Sequence, residues 1–145
     1  MLAFNKVRAK FYPYNEVYLE APKKAINLPE GSPTKHQYVR QDSYVPNKEI
    51  VSRKYTQLSE VSEETAIRYL KELSDKYAPG TKIADVPSNI SGANAGIFKE
   101  NRGRTLRGQM ILEVPIQDKV VPKKVIDYAN KHYIKIRDIN GKIYN

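Results

Sequence analysis

The chain has no cysteine among its 145 residues and only two histidines, His36 and His132. The first absence excludes disulfides, thiol catalysis and thiolate metal sites, and leaves the redox compartment open. The second excludes a histidine-rich zinc site, so any divalent ion, magnesium or zinc, would have to rest mainly on carboxylates. Zinc deaminase chemistry is excluded for the same reason. No apolar run approaches the roughly 18 residues of a spanning helix, and the N-terminus lacks the apolar core of a secretory signal. A membrane partner is therefore not expected.

What the chain has in excess is positive charge. With 25 Lys+Arg against 16 Asp+Glu its net charge is +9, and its isoelectric point is near 9.6. A basic domain of this kind attracts polyanions, nucleic acid first among them. The densest cluster is Lys99-Glu100-Asn101-Arg102-Gly103-Arg104-Thr105-Leu106-Arg107-Gly108. Glycines let the backbone fold around a target, and the planar guanidinium fork matches phosphate oxygens two at a time. Lys99, Arg102 and Arg104 are the candidate nucleic-acid contacts, and Arg107 is a candidate for the catalytic site.

This length buries one respectable core, so a single folded domain is expected at residues 36–145. Residues 1–35 carry Pro13, Pro22, Pro29 and Pro33 among tyrosines and read as an extended arm or linker. Two strands flanking Pro46-Asn47 are expected between 37 and 56. A helix capped by Ser59 or Ser62 follows, with Ala66, Tyr69, Leu70, Leu73 and Tyr77 at helical spacing, up to Pro79-Gly80. A short strand over 81–86 and a long polar loop over 87–108 come next. The spacing predicts a strand over 109–116, with Ile111 and Glu113 on the face opposite Met110, Leu112 and Val114. A second helix over 122–133, with Pro122 as its first residue, and a hairpin around Asn140-Gly141 complete the chain. Strand, helix and strand over 109–139 make a parallel crossover, so the fold class is α+β or α/β, a mixed sheet covered by two helices.

Four groups of residues can carry chemistry. Ser52-Arg53-Lys54-Tyr55-Thr56-Gln57 concentrates donors at a strand end, as a metal-free ribonuclease needs to stabilise a phosphorane-like transition state. The loop arginines add phosphate clamps without sequence preference. His36 has the pKa range of a general base towards a ribose 2′-hydroxyl, while His132 suits a packed or capping role. Asp85 and Glu113, near Glu60, Glu63 and Glu64, are the candidate metal ligands of the alternative in which a divalent ion activates water. That arrangement, of restriction-endonuclease type, normally has a lysine two residues after the second acid, where this chain has Pro115.

The runs Val51 to Leu58, Lys82 to Asp85, Leu106 to Pro115 and Ile136 to Tyr144 together resemble C-terminal toxin domains of bacterial polymorphic toxins, including those of contact-dependent growth inhibition. The resemblance covers about residues 36–145. It implies a nuclease, either a transfer-RNA ribonuclease of barnase/EndoU/colicin/RelE-like fold or a metal-dependent deoxyribonuclease. It also implies secretion as the end of a larger toxin, delivery into the cytoplasm of a target bacterium, and a cognate immunity protein. Such a partner should be acidic, to cover a cationic site.

Three readings therefore stand at the level of sequence. In the first, a metal-independent ribonuclease, His36 or another base deprotonates the 2′-hydroxyl. Arg53, Lys54, Arg104 and Arg107 then stabilise the phosphorane, with Thr56 and Gln57 orienting it. The second is a divalent-metal nuclease on Asp85 and Glu113. The third is a non-catalytic basic module that binds RNA or an acidic protein.

Overall fold

A computed structural model describes residues 2–21 and 38–145, which form one α+β domain around a single five-stranded mixed sheet. In chain order the elements are α1 (Leu2–Ala9), β1 (Tyr14–Glu20), β2 (Tyr38–Val45), β3 (Glu49–Arg53), α2 (Glu63–Lys76), α3 (Pro87–Ile90), α4 (Ile97–Glu100), β4 (Gln109–Val114), α5 (Lys123–Lys131) and β5 (Ile134–Asp138). The strands lie side by side in the order β1-β2-β3-β4-β5. The first three pair antiparallel, while β3, β4 and β5 run parallel. Parallel neighbours require crossovers, and α2 and α5 supply them.

The helix over Glu63–Lys76 follows its sequence signals. Ser62 Oγ accepts from the Thr65 amide at 3.1 Å, and Glu63 and Glu64 complement the positive end of the dipole. Its buried stripe is Ala66, Leu70 and Leu73, and α5 adds Val125 and Ala129. Both pack on the sheet face that carries Ile50, Leu112, Val114 and Ile136. Each large side chain removed from water here stabilises the fold by about 1.5–3 kcal/mol. Pro122 proves to be the N-cap of α5, not its first helical residue, and His132 is its C-cap, stacked on Tyr128 at 4.2 Å.

The N-terminal segment departs from expectation. Instead of an extended arm over 1–35, residues 2–9 form α1 and 14–20 form β1, hydrogen-bonded along β2. The prolines misled because the first of them, Pro13, falls between the two elements. An eight-residue helix is too short to be stable alone, so its formation depends on contacts that are distant in sequence. The remainder of the arm, with His36, lies outside the described residues.

Residues 81–108 are also more ordered than a polar loop. In place of a strand over 81–86 there are two bridges, Leu19 with Ile83 and Lys82 with Thr105. Beyond them, buried asparagines staple the backbone. Asn89 Nδ2 donates to the Tyr18 and Ala84 carbonyls, both at 2.9 Å. Asn94 Nδ2 donates to the Asn15 carbonyl at 2.8 Å. Asn101 Nδ2 donates to the Gly103 and Thr105 carbonyls, both at 2.8 Å. A side-chain amide can serve carbonyls that no strand reaches, which is how irregular chain stays packed.

At the C-terminus the second arm of the expected hairpin shrinks to one bridge, Arg137 with Ile143. Asp138 organises the turn by accepting from the Asn140 and Lys142 amides and from Tyr144 Oη. Burial pushes its carboxyl up, but these bonds win and hold it below the ordinary value.

Gly108 and Gly141 both have positive φ, +141° and +87°, yet they should respond differently to alanine. A Cβ on Gly141 meets nothing, whereas one on Gly108 would stand 2.5 Å from the Lys48 carbonyl carbon. Urea unfolding should show Gly141→Ala costing about 1–2 kcal/mol, the ordinary left-handed penalty. Gly108→Ala should cost clearly more, because the β2–β3 turn must move.

Candidate active site

Pairing across the parallel strands places Arg53, Glu113 and Arg137 in one transverse row, Arg53 opposite Glu113 and Glu113 opposite Arg137. All three stand near the carboxyl ends of their strands. That end of a parallel array is where α/β sheets most often bind ligands. Strand alternation turns Leu112 and Val114 into the helix-covered core, so Glu113 emerges on the opposite face. That face is overlaid by α1 and the turn that follows it, which deliver Arg8 and Tyr12.

Glu113 is fully buried, and its two oxygens are shared by three donors. Arg8 holds it bidentate, Nε to Oε1 at 3.1 Å and Nη2 to Oε2 at 3.2 Å. Arg53 Nε donates to Oε1 at 2.8 Å, and the Tyr12 hydroxyl donates to Oε2. The Arg53 guanidinium also lies 5.2 Å from the Tyr12 ring centre and donates through Nη2 to Ser43 Oγ. Ser43 Oγ in turn donates to Asn15 Oδ1. Arg137 Nη2 donates to Tyr12 Oη at 3.0 Å. Its two terminal nitrogens also grip Glu49 at 2.6 and 3.0 Å.

Three guanidiniums thus face two carboxylates and one phenol. Their donors are not all spent. Arg8 Nη1, Arg53 Nη1 and Arg137 Nε have no hydrogen-bond partner among the described residues. A guanidinium with one edge anchored on a carboxylate and another free is oriented in advance for a second anion.

The protonation states follow from these contacts. Burial pushes the Glu113 carboxyl up, but hydrogen bonds from Arg8 and Tyr12 and the charges of Arg53 and Arg8 outweigh it, so it stays ionised below the ordinary range. Burial and the neighbouring Glu113 raise Tyr12, which keeps its proton well into alkali. The Glu113 carboxylate raises Arg8, and Glu49 raises Arg137. Asp42, which accepts from the Arg53 amide at 2.7 Å, is pushed up by burial against the pull of Arg53 and Lys54.

Of the residues singled out by sequence, the structure brings together Arg53 and Glu113. Lys54 turns instead to Glu72, 3.6 Å away, and lies 5.1 Å from the Tyr69 ring centre. Thr56 and Gln57 brace the chain after β4: the Thr56 carbonyl accepts from Gln117, and Gln57 bonds Ile116 and Asp118. Neither faces the Glu113 cluster, because β3 ends at Arg53 and the chain turns toward α2.

Lys99, Arg102, Arg104 and Arg107 are exposed on the segment entering β4, at the end opposite Glu113. Gln109 and Glu113 are four strand steps apart, roughly 13 Å of rise. Arg107 therefore stands apart from the cluster, anchored through its amide on Tyr44 Oη at 3.0 Å. Arg104 lies over the Phe98 ring and pairs with Asp85.

That pairing also bears on the residues of the metal alternative. Asp85 is 53% exposed and bound to Arg104, while Glu113 has both oxygens engaged by arginines and a phenol. The two carboxylates share no neighbour, and among the described residues no group of three acidic or histidine side chains converges.

Arg8, Tyr12, Ser43, Glu49 and Arg137 were missed. Arg137 had a signal: in Ile134-Lys135-Ile136-Arg137 the isoleucines fix one face, so Arg137 shares the face of Glu113 once the crossover is accepted. Arg8 and Tyr12 had none, since only docking of α1 brings them across about a hundred positions of sequence. Comparisons with known protein families, with curated proteins and with solved structures find no match. No helix among the described residues is long and apolar enough to cross a membrane.

Glu113→Gln should leave Arg8 and Arg53 without their buried counter-charge and cost about 3–5 kcal/mol in chemical denaturation. Its folded pKa lies below the unfolded one, so the stability it contributes is present in full above the ordinary value of 4.5. That contribution is lost as pH falls from there through the lowered folded value. The Glu113→Gln protein should lack this part of the acid-side decline.

Proposed function

We propose that this protein is a metal-independent ribonuclease, with transfer RNA as its substrate class, acting as an antibacterial toxin domain. The observation that carries the reading is the set of unspent guanidinium donors on Arg8, Arg53 and Arg137 around a buried carboxylate bonded to a phenol. This is the equipment that in-line transesterification of RNA needs, phosphate donors beside one proton acceptor and one proton donor.

In the proposed reaction the scissile phosphate enters at the free edges of Arg8 and Arg53 and takes both guanidiniums over from Glu113. Glu113 accepts the proton of the 2′-hydroxyl, whose oxygen forms the new bond to phosphorus. The bond to the 5′-oxygen breaks, and Tyr12 gives that oxygen its proton. The products are a 2′,3′-cyclic phosphate and a 5′-hydroxyl end. Tyr12 and Glu113 are directly hydrogen-bonded, so the proton gained by Glu113 returns to the phenolate and restores the site. The exposed Lys99, Arg102 and Arg107 hold flanking phosphates, which makes affinity salt-sensitive. The toxin resemblance supports secretion within a larger protein, delivery into the cytoplasm of a target bacterium and an acidic immunity protein over the cationic surface.

Incubation of the protein with total bacterial RNA in excess EDTA should yield discrete transfer-RNA fragments ending in cyclic phosphate; intact RNA would refute the reading. Tyr12→Phe should lower kcat by about 10²-fold or more while remaining folded, as its ring still lies against Arg53. Arg53→Lys should lose a comparable factor through the missing fork. Lys54→Met should stay within roughly twofold of the parent, since its partner is a partly exposed carboxylate. On the acid side, kcat/KM should hold down to below the ordinary glutamate range, because Glu113 is the free protein's base and its pKa is lowered.

A further inference from the structure

Beside Arg53 a cavity of about 280 Å³ opens between α1 and the β1–β2 pair, lined by Asn5, Lys6, Glu16 and Asp42 among others. Its size lies near the lower end of small-molecule sites, about 300–1,000 Å³, which suits one heterocycle and not a folded ligand. Several irregularities of the structure meet there.

The β1–β2 ladder pairs Asn15 with Ser43 and Val17 with Gln41 but leaves out Glu16 and Asp42 between them. Glu16 has φ +48° in the middle of a strand, a left-handed conformation that non-glycine residues rarely hold. Observed strain of this kind concentrates at ligand sites. The Glu16 side chain swings out to Arg40, 3.7 Å away, leaving Asp42 behind. Asp42 Oδ2 accepts from the Arg53 amide, whereas Oδ1 has no partner among the described residues. Asn5 Oδ1 is likewise buried without a partner. The unspent acceptors at the cavity are thus Asp42 Oδ1 and Asn5 Oδ1, beside the donors of Lys6, the Asn5 amide and Arg53 Nη1.

We propose that this cavity is a nucleobase subsite selective for guanine, read through its Watson–Crick edge by Asp42. Guanine alone presents two adjacent donors there, N1–H and the N2 amino group, which match the two oxygens of a carboxylate. Cytosine and adenine set an acceptor beside their amino group, and uracil flanks its one donor with two acceptors, so each turns a lone pair toward Asp42. The Lys6 ammonium is a donor of the kind O6 accepts, and the Asn5 amide oxygen is an acceptor for N2–H. The inference rests on the ribonuclease reading for its biological sense: a base held here puts its own 3′-phosphate beside Arg53, so cleavage follows guanosine.

The experiment is calorimetric titration of the full chain with 3′-GMP, 3′-AMP, 3′-CMP and 3′-UMP, repeated with Asp42→Asn. 3′-GMP should bind at least tenfold more tightly than the other three. Asp42→Asn keeps an acceptor for the Arg53 amide, and it should reduce that preference to within about twofold while the common phosphate affinity persists. Should Asp42→Asn not fold, Asn5→Leu, which fills the cavity from the surface of α1, should remove the same preference. Equal binding of the four nucleotides, or a preference that survives in the folded variant, overturns the subsite.

The two readings fail separately. RNA cleavage without base preference, together with equal nucleotide binding, removes the subsite and leaves the nuclease. Selective 3′-GMP binding with no cleavage removes the nuclease and leaves the subsite.

Discussion

A carboxylate with no exposure to water, in the middle of a sheet, sets the terms for everything around it. An ionised group in that position costs several kcal/mol unless cations and hydrogen bonds surround it. Glu113 meets the condition only by recruiting Arg53 from the neighbouring strand and Arg8 and Tyr12 from the start of the chain. The N-terminal helix is therefore not an appendage. Its docking neutralises the sheet's central charge, and the charge in turn holds a helix too short to persist alone. The same interaction closes the fold and assembles the site.

The regular part of the fold was legible because it repeats. Helical spacing from Ala66 to Leu73, the cap at Ser62 and the alternation of Met110, Leu112 and Val114 are local patterns, and each element formed within a few residues of its expected place. The parallel crossover followed from element order and loop length. The N-terminal helix and strand were illegible, since the helix is held through Arg8 and by the turn after it through Tyr12, both to Glu113 about a hundred positions away, and the strand by β2 beyond residues 22–37. Glu113 stands out in the sequence only as a ligand of the alternative metal reading, because sequence shows a carboxylate without its counter-charge. Lys54, Thr56 and Gln57 were drawn into the site by proximity to Arg53, although the strand end turns the chain after Arg53 away from that face.

The positive charge is divided between two places. Arg102 and Arg107 stand out from a segment made rigid by the amide of Asn101 and the hydroxyl of Tyr44, so they present cations to solvent without a buried partner. The guanidiniums at the strand ends are inward and paired. The first set suits capture, through long-range attraction that weakens with salt. The second is held too firmly to serve as a collector, which suits placing one phosphate at a fixed position. Separation along the strands then favours a polyanion spanning both over a single mononucleotide.

Internal pairing also bears on why such a site rests without penalty. In the proposed reaction an arriving phosphate replaces the Glu113 carboxylate as the anion served by Arg8 and Arg53. One charge-assisted pair is exchanged for another, so the net cost of rearrangement is small compared with uncovering a lone buried charge. The consequence for Glu113 is larger. Its low proton affinity in the resting protein is owed to those guanidiniums and to Tyr12, against the push of burial. As the cations turn toward phosphate, burial gains weight and the carboxylate becomes a stronger base at the moment a 2′-hydroxyl lies beside it. Basicity is then coupled to occupancy, and the arginines that quench the base at rest are the groups whose engagement with substrate releases it.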